Sequence, residues 1–258
     1  MDVGKAFTYM FEDKDWIVKI LIGGGILLLG LIFSWLLFIP LIAASAILVG
    51  YMLAALRNTY EGRPTPLPEW QNFGDLFVRG ITAMVGLLIW ALPALVLACC
   101  TIIPFALVNN GDSRNAMAGL FSLIGTCLAC ITVIVALAIS LFTYAPLTNF
   151  ALNNQVNTFW DFQGNWRFIR ANFNHYIIAW LMGTVVAGFI ASAVGSITCG
   201  LLSFFASFWA MLVAANLFGQ YARLGMLPTD SGMLPPSPPP TDEPPSMMQG
   251  PMEPAASA

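Results

Sequence analysis

The chain has 258 residues, of which 58% are hydrophobic and 9% charged, with a formal net charge of −3. Soluble domains average about 25% charged residues, and a core of this length cannot hide so much apolar surface from water. The composition calls for a bilayer, and a near-neutral chain without a basic cluster excludes a nucleic-acid partner.

The first segment, Met1–Lys19, carries Phe7, Met10, Phe11 and Trp16 near helical spacing among charged residues. That pattern predicts an amphipathic helix at the membrane interface. An apolar run at 17–38 follows, longer than the hydrophobic region of a signal peptide, and is read as a retained span. Pro40 permits a tight reversal into a second, short span at 41–56, which Arg57 ends. The polar stretch Arg57–Gly80 comes next. It is read as a basic exit, a Pro-rich turn and an aromatic amphipathic helix that lies on the membrane before re-entry.

A third span is predicted at 81–108, kinked near Pro93, and a fourth at 116–144, stopped by Pro146. A second long polar segment, Thr148–Asn174, precedes a fifth span at 176–197 and a sixth at 199–217. The integral membrane domain thus covers 1–225. The remainder, 226–258, is rich in Pro, Ser, Met and acidic residues and cannot bury enough apolar area to order itself. It is read as a disordered cytoplasmic tail, with a docking motif for a proline-recognising domain as the alternative.

The expected fold is all-α: a polytopic transmembrane helical bundle of six spans, arranged as three helical hairpins with cytoplasmic interfacial amphipathic helices. Lys5, Lys14, Lys19, Arg57, Arg63, Arg79, Arg167, Arg170 and Arg223 then share one side, and Arg114 takes the other. By the positive-inside rule both termini and both long polar segments are cytoplasmic, in a multi-pass protein of the cell membrane. Asp15–Lys19, Asp75–Arg79 and Trp166–Arg170 precede the three hairpins in a similar pattern. This is either a threefold repeat or the common look of a membrane entry.

The spans contain no Asp, Glu, Lys or Arg away from their ends, which argues against a proton-coupled carrier. Cys127 and Cys130 match a CxxC spacing but sit among Ile, Leu, Ala and Thr, so the cysteines are read as small packing residues. Glu12, Asp13 and Asp15 alternate with Lys14 as a solvated helix start, and His175 is an interfacial residue. No catalytic, metal or cofactor set is assigned. Gly183, Ala187, Ala191 and Gly195 form a row of small residues at spacing four, suited to close helix packing within the bundle or between copies in a homo-oligomer. Gly188, Ser192, Ser196 and Gly200 form a second such row. Gly23-Gly24-Gly25 marks a flexible or close-packing point.

Ala6–Asp13, Trp16 and Lys19–Gly24, then Gly50-Tyr51, Arg57, Gly62, Leu67-Pro68-Glu69-Trp70, Phe73-Gly74 and Gly80, resemble the prokaryotic membrane family called domain of unknown function 4013. The resemblance extends over about residues 5–225. It implies a polytopic membrane protein and carries no activity, ligand or catalytic residue. The function expected is that of a non-enzymatic membrane scaffold or accessory protein, with a permease or lipid-handling protein as the alternative. Its partners are the lipid bilayer and a membrane or cytoplasmic protein that would bind Leu67, Pro68, Glu69, Trp70, Phe73 and Arg79.

Overall fold

The computed structural model describes residues 1–110, 116–198 and 200–225. The tail at 226–258, Arg114 and Cys199 lie outside the described residues. Every regular element among the described residues is helical. Five helices are long and apolar enough to cross a membrane: Ile39–Glu61, Phe73–Ala106, Gly119–Asn153, Phe173–Ile197 and Ser203–Leu224. A sixth candidate is the N-terminal pair Val3–Glu12 and Trp16–Ile32, bent by 98° at the break between its members. The chain is a polytopic helical membrane protein.

Helix α1 spans Val3–Thr8, capped by Asp2, whose Oδ1 accepts from the Lys5 N–H at 2.9 Å, and a 3-10 turn continues it to Glu12. The segment was expected to lie on the membrane with its apolar side chains among headgroups. Instead Ala6, Tyr9 and Met10 are buried, and Tyr9 Oη donates to the Leu212 carbonyl of the last helix at 3.1 Å. Of the expected interfacial set Met10 is buried, Phe7 and Trp16 are part-buried, and Phe11 is half-exposed.

Helix α2 spans Trp16–Ile32 and stops six residues before the predicted limit at 38. Pro40 explains the difference. It lacks an N–H and suits the first turn of a helix, so α3 starts at Ile39 and the reversal falls before it. Leu37 and Phe38 adopt left-handed φ of 53° and 60° to make that reversal. Helix α3 runs to Glu61, five residues past the predicted end at Leu56, and Gly62 at φ 72° terminates it. The added turn is held by Arg57 Nε, 2.8 Å from Glu61 Oε1 at i,i+4 spacing.

Helices α4 (Phe73–Asn110) and α5 (Ala116–Asn153) each have 38 residues, about 57 Å at 1.5 Å per residue. No interfacial helix precedes α4: Phe73–Gly80 is its first part, in one continuous helix with the predicted span. Pro93 and Pro104 lie inside α4, and Pro146, expected as a stop, lies inside α5. A proline within a membrane helix is tolerated when other groups satisfy the backbone it disturbs. Pro146 leaves the Phe142 carbonyl without its helical donor, and beside it Tyr176 Oη donates to the Leu141 carbonyl at 2.6 Å.

The 3-10 turn Val156–Phe159 and helix α6 (Phe162–Ala171) follow α5. Helix α7 (Phe173–Trp180), a π-helical turn (Leu181–Val186) and α8 (Ala187–Ile197) join into one long element, and α9 spans Ser203–Leu224. Of the three segments thought to repeat, the first two open the apolar helices α2 and α4, whereas Trp166–Arg170 lies within α6, separate from α7.

Helices α3 and α9 form the centre. About half of the apolar window of each is buried inside the chain, against 6% in α4 and α5. Gly219 lets α9 approach the Leu56 carbonyl of α3, and Asn216 Nδ2 donates to Thr59 Oγ1 beside it at 3.3 Å. The α3–α4 contact is closer still: a Cβ on Gly80 would overlap the Ala46 carbonyl, and one on Gly50 the Leu76 carbonyl. Gly23 and Gly24 are close-packing points, seated against the Phe208 and Phe205 rings.

Candidate functional site

The Leu67-Pro-Glu-Trp70 stretch sits on the start of α2 and the middle of α3. After Gly62 the chain turns back, and Asn58 Nδ2 takes the Pro66 carbonyl at 3.2 Å. Leu67 is buried. Tyr51 Oη donates to the Pro68 carbonyl at 2.7 Å, and the Tyr51 ring stacks on Trp70 with centroids 4.1 Å apart and an interplanar angle of 21°. The Trp70 indole N–H donates to the Lys19 carbonyl at 3.2 Å. Three prolines, at 64, 66 and 68, limit the backbone freedom this segment loses on docking.

An ion cluster closes the same place. Lys19 Nζ lies 2.9 Å from Asp13 Oδ2 and 2.7 Å from Glu69 Oε1, and 3.5 Å from the Leu67 carbonyl. The Lys19 and Asp13 side chains are 4% and 7% exposed, whereas that of Glu69 is 64% exposed. Burial pushes the Asp13 carboxyl up, but the hydrogen bond and charge of Lys19 and the Asp15 N–H outweigh it and hold Asp13 below the usual carboxylate range. A buried ammonium needs such partners, because an unpaired charge out of water is costly. The cluster ties the link before α2, α2 itself and the 67–70 segment into one unit.

The predicted interaction residues therefore divide. Leu67 and Trp70 turn inward and clasp α2 and α3, with the Pro68 carbonyl bound between them. Glu69 and Phe73 keep exposed surface, and Arg79 is half-buried in α4. The predicted packing row is brought together completely: Gly183, Ala187, Ala191 and Gly195 are all buried, with Gly183 against Ala214 and Gly195 against Ser203 of α9. In the second row Ser192 and Ser196 are exposed, and their hydroxyls bond the Gly188 and Ser192 carbonyls of their own helix. Cys99, Cys100, Cys127 and Cys130 are exposed along α4 and α5, and His175 is exposed at the start of α7.

The second polar segment is fastened in the same manner. Asn149 Nδ2 donates to Asn165 Oδ1 and Asn165 Nδ2 to the Thr158 carbonyl, both at 2.8 Å, with Asn165 buried. Trp90 Nε1 donates to the Phe159 carbonyl at 3.0 Å, and Tyr221 Oη to the Phe168 carbonyl. These side-chain clamps were missed in the sequence. The only visible signal was that Tyr, Trp and Asn flank the apolar runs, which reads equally as an aromatic belt.

Comparison with curated proteins and with solved structures returns no match. Residues 32–204 match the family described as protein of unknown function DUF4013. The matched region holds the Gly50–Gly80 contact and the Leu67–Trp70 clasp, and begins after the α1 residues that also carried the resemblance. With more than half of its length matched, the chain belongs to the DUF4013 family.

Proposed function

We propose that the chain is a non-enzymatic scaffold or accessory protein of the cell membrane, with both termini and both polar segments on the cytoplasmic side. One observation carries this reading. Two polar segments, 62–72 and 154–172, are fixed by side chains clamping their backbone carbonyls: Tyr51 on Pro68, Trp90 on Phe159 and Tyr221 on Phe168. A surface held rigid in advance loses less entropy when a partner binds. Buried polar side chains take part in this fixing: Lys19, paired with Asp13, reaches Glu69 of the first segment, and Asn165, held by Asn149, bonds the Thr158 carbonyl of the second. The bias of Lys and Arg towards these segments supports the orientation.

The test is cross-linking in native membranes followed by mass spectrometry. A stoichiometric partner bonded to 62–72 or 154–172 supports the scaffold. Isolation of the protein alone, together with solute flux in proteoliposomes, would refute it. A groove between α4 and α5, lined by Ala98, Thr101, Phe105, Ala129 and Thr132, favours lipid handling as the second reading. Its floor carries a Thr101–Thr132 hydroxyl contact of 3.2 Å.

A further inference from the structure

We propose that the outer face of α6 is a docking site for the phosphate headgroup of an anionic phospholipid. The helix is anchored where three apolar helices end or begin. It follows the end of α5 at Asn153, Asn172 alone separates it from α7, and its Phe168 carbonyl is held by Tyr221 near the end of α9. The ends of apolar helices lie where hydrocarbon gives way to headgroups.

The two faces of α6 differ. Asn165 and Ile169 are buried and Phe168 packs edge-on against Tyr176 and Tyr221. The outer face presents Trp166, Arg167 and Arg170, with Trp160 and Phe162 exposed beside them. Large rings beside cationic groups suit the headgroup layer, where rings meet glycerol and upper acyl groups and cations meet phosphate. Neither arginine is ion-paired among the described residues, in contrast to Arg57 and Arg63, which share Glu61. The nearest acid in sequence, Asp161, is occupied as the cap of α6 through the Gly164 N–H at 2.8 Å. The Arg170 guanidinium lies over the Trp166 ring, 5.4 Å from its centroid. Held beside a ring and not by a carboxylate, the guanidinium keeps N–H donors for two phosphate oxygens. Charge, amphipathic character and depth point to one occupant, an acidic lipid of the leaflet into which α7 enters. This holds whichever side of the membrane that leaflet faces, and it goes beyond the scaffold reading.

The experiment uses the full chain purified in neutral detergent and titrated with short-chain phosphatidylglycerol or phosphatidylcholine. Bound lipid is read by native mass spectrometry and thermal unfolding. Each basic residue near an anionic surface contributes roughly fivefold in affinity, so Arg167→Gln with Arg170→Gln should weaken phosphatidylglycerol binding roughly 30-fold. Phosphatidylcholine binding should not change. The single variants, each with a roughly fivefold loss, decide the matter if the double variant fails to fold. Arg170→Lys keeps the charge but loses the planar fork, and should fall between wild type and Arg170→Gln. Equal wild-type affinity for the two lipids overturns the proposal, as does a phosphatidylglycerol preference that survives both substitutions. Inorganic phosphate that stabilises the protein as strongly as the lipid would show a free-anion site and overturn the lipid as occupant.

Discussion

Tyr51 and Trp70 form the joint on which the first polar segment hangs: their rings stack at 4.1 Å while the Tyr51 hydroxyl holds the carbonyl of Pro68, two residues before Trp70. The pair links the middle of α3 to the loop that leads into α4. Trp70→Ala should lower stability by about 2 kcal/mol, less than a fully buried aromatic because Trp70 is half-exposed. Tyr51→Phe removes one buried donor, for about 1 kcal/mol. Tyr51→Leu removes the ring itself, so combined with Trp70→Ala it should fall short of the sum of those two single changes by about 0.5–1.5 kcal/mol. Unfolding in mild detergent measures each variant, and strict additivity of Tyr51→Leu and Trp70→Ala would disprove the joint.

The ion cluster makes stability depend on pH in a stated direction. Asp13 titrates below its unfolded value, so the unfolded chain binds more protons in acid. The contribution of Asp13 is complete above the ordinary carboxylate pKa, about 3.9, and is lost as pH falls through the depressed native value. The melting temperature of the wild type should therefore drop across that acid window, and that of Asp13→Asn should drop less. At neutral pH Asp13→Ala should cost about 3–5 kcal/mol, since it strands Lys19 with one solvent-exposed partner. Lys19→Met with Asp13→Leu should recover much of that loss, because removing both charges removes the desolvation penalty.

The Gly50–Gly80 contact predicts opposite outcomes for chemically identical changes on α4. Gly80→Ala drives a methyl into the Ala46 backbone, which cannot move aside as a side chain would, and should cost at least about 3 kcal/mol. Gly74→Ala has open space within 4 Å and should be neutral or gain up to about 1 kcal/mol from helix propensity. Thermal melts of the two variants side by side check this.

The all-α membrane architecture was legible because apolar runs of about 20 residues have one physical meaning. The row from Gly183 to Gly195 was legible for a similar reason: spacing four puts small residues on one helix face, and that face meets α9. Helix ends were less legible. Pro40 and Pro146 look alike in sequence, yet one starts α3 and the other is carried inside α5, where its neighbours Ala145 and Leu147 are buried in the packed bundle. The Leu67–Trp70 clasp was seen as an outward motif. Lys19, Tyr51 and Trp70 meet only through the packing of α2 on α3, which local sequence does not encode.

The two small-residue rows of α8 separate intramolecular packing from surface. Ala191→Leu places a large side chain between α8 and α9 and should unfold the protein or lower its midpoint by several degrees. Ser192→Leu lies one residue away on the exposed face and should leave the midpoint unchanged. If Ser192→Leu instead alters only the oligomer size in detergent, that outer row is an interface between copies, while the inner row keeps its role within the chain.

Pro146 and Tyr176 supply the sharpest test of how α5 continues past a proline. Pro146 removes the N–H that would bond the Phe142 carbonyl, and its ring crowds that turn. Tyr176 Oη reaches the adjacent Leu141 carbonyl at 2.6 Å and is buried there. Tyr176→Phe should cost about 1 kcal/mol, since the Leu141 carbonyl loses a second donor but keeps its helical partner, the Ala145 N–H. Pro146→Ala restores a donor to the Phe142 carbonyl and not to Leu141, so Tyr176→Phe should cost the same within about 0.5 kcal/mol in that background. A cost that disappears with Pro146→Ala would show instead that the hydroxyl acts by holding the turn the proline opens, and that α5 owes its continuity to Tyr176 as well as to the close fit around Ala145 and Leu147.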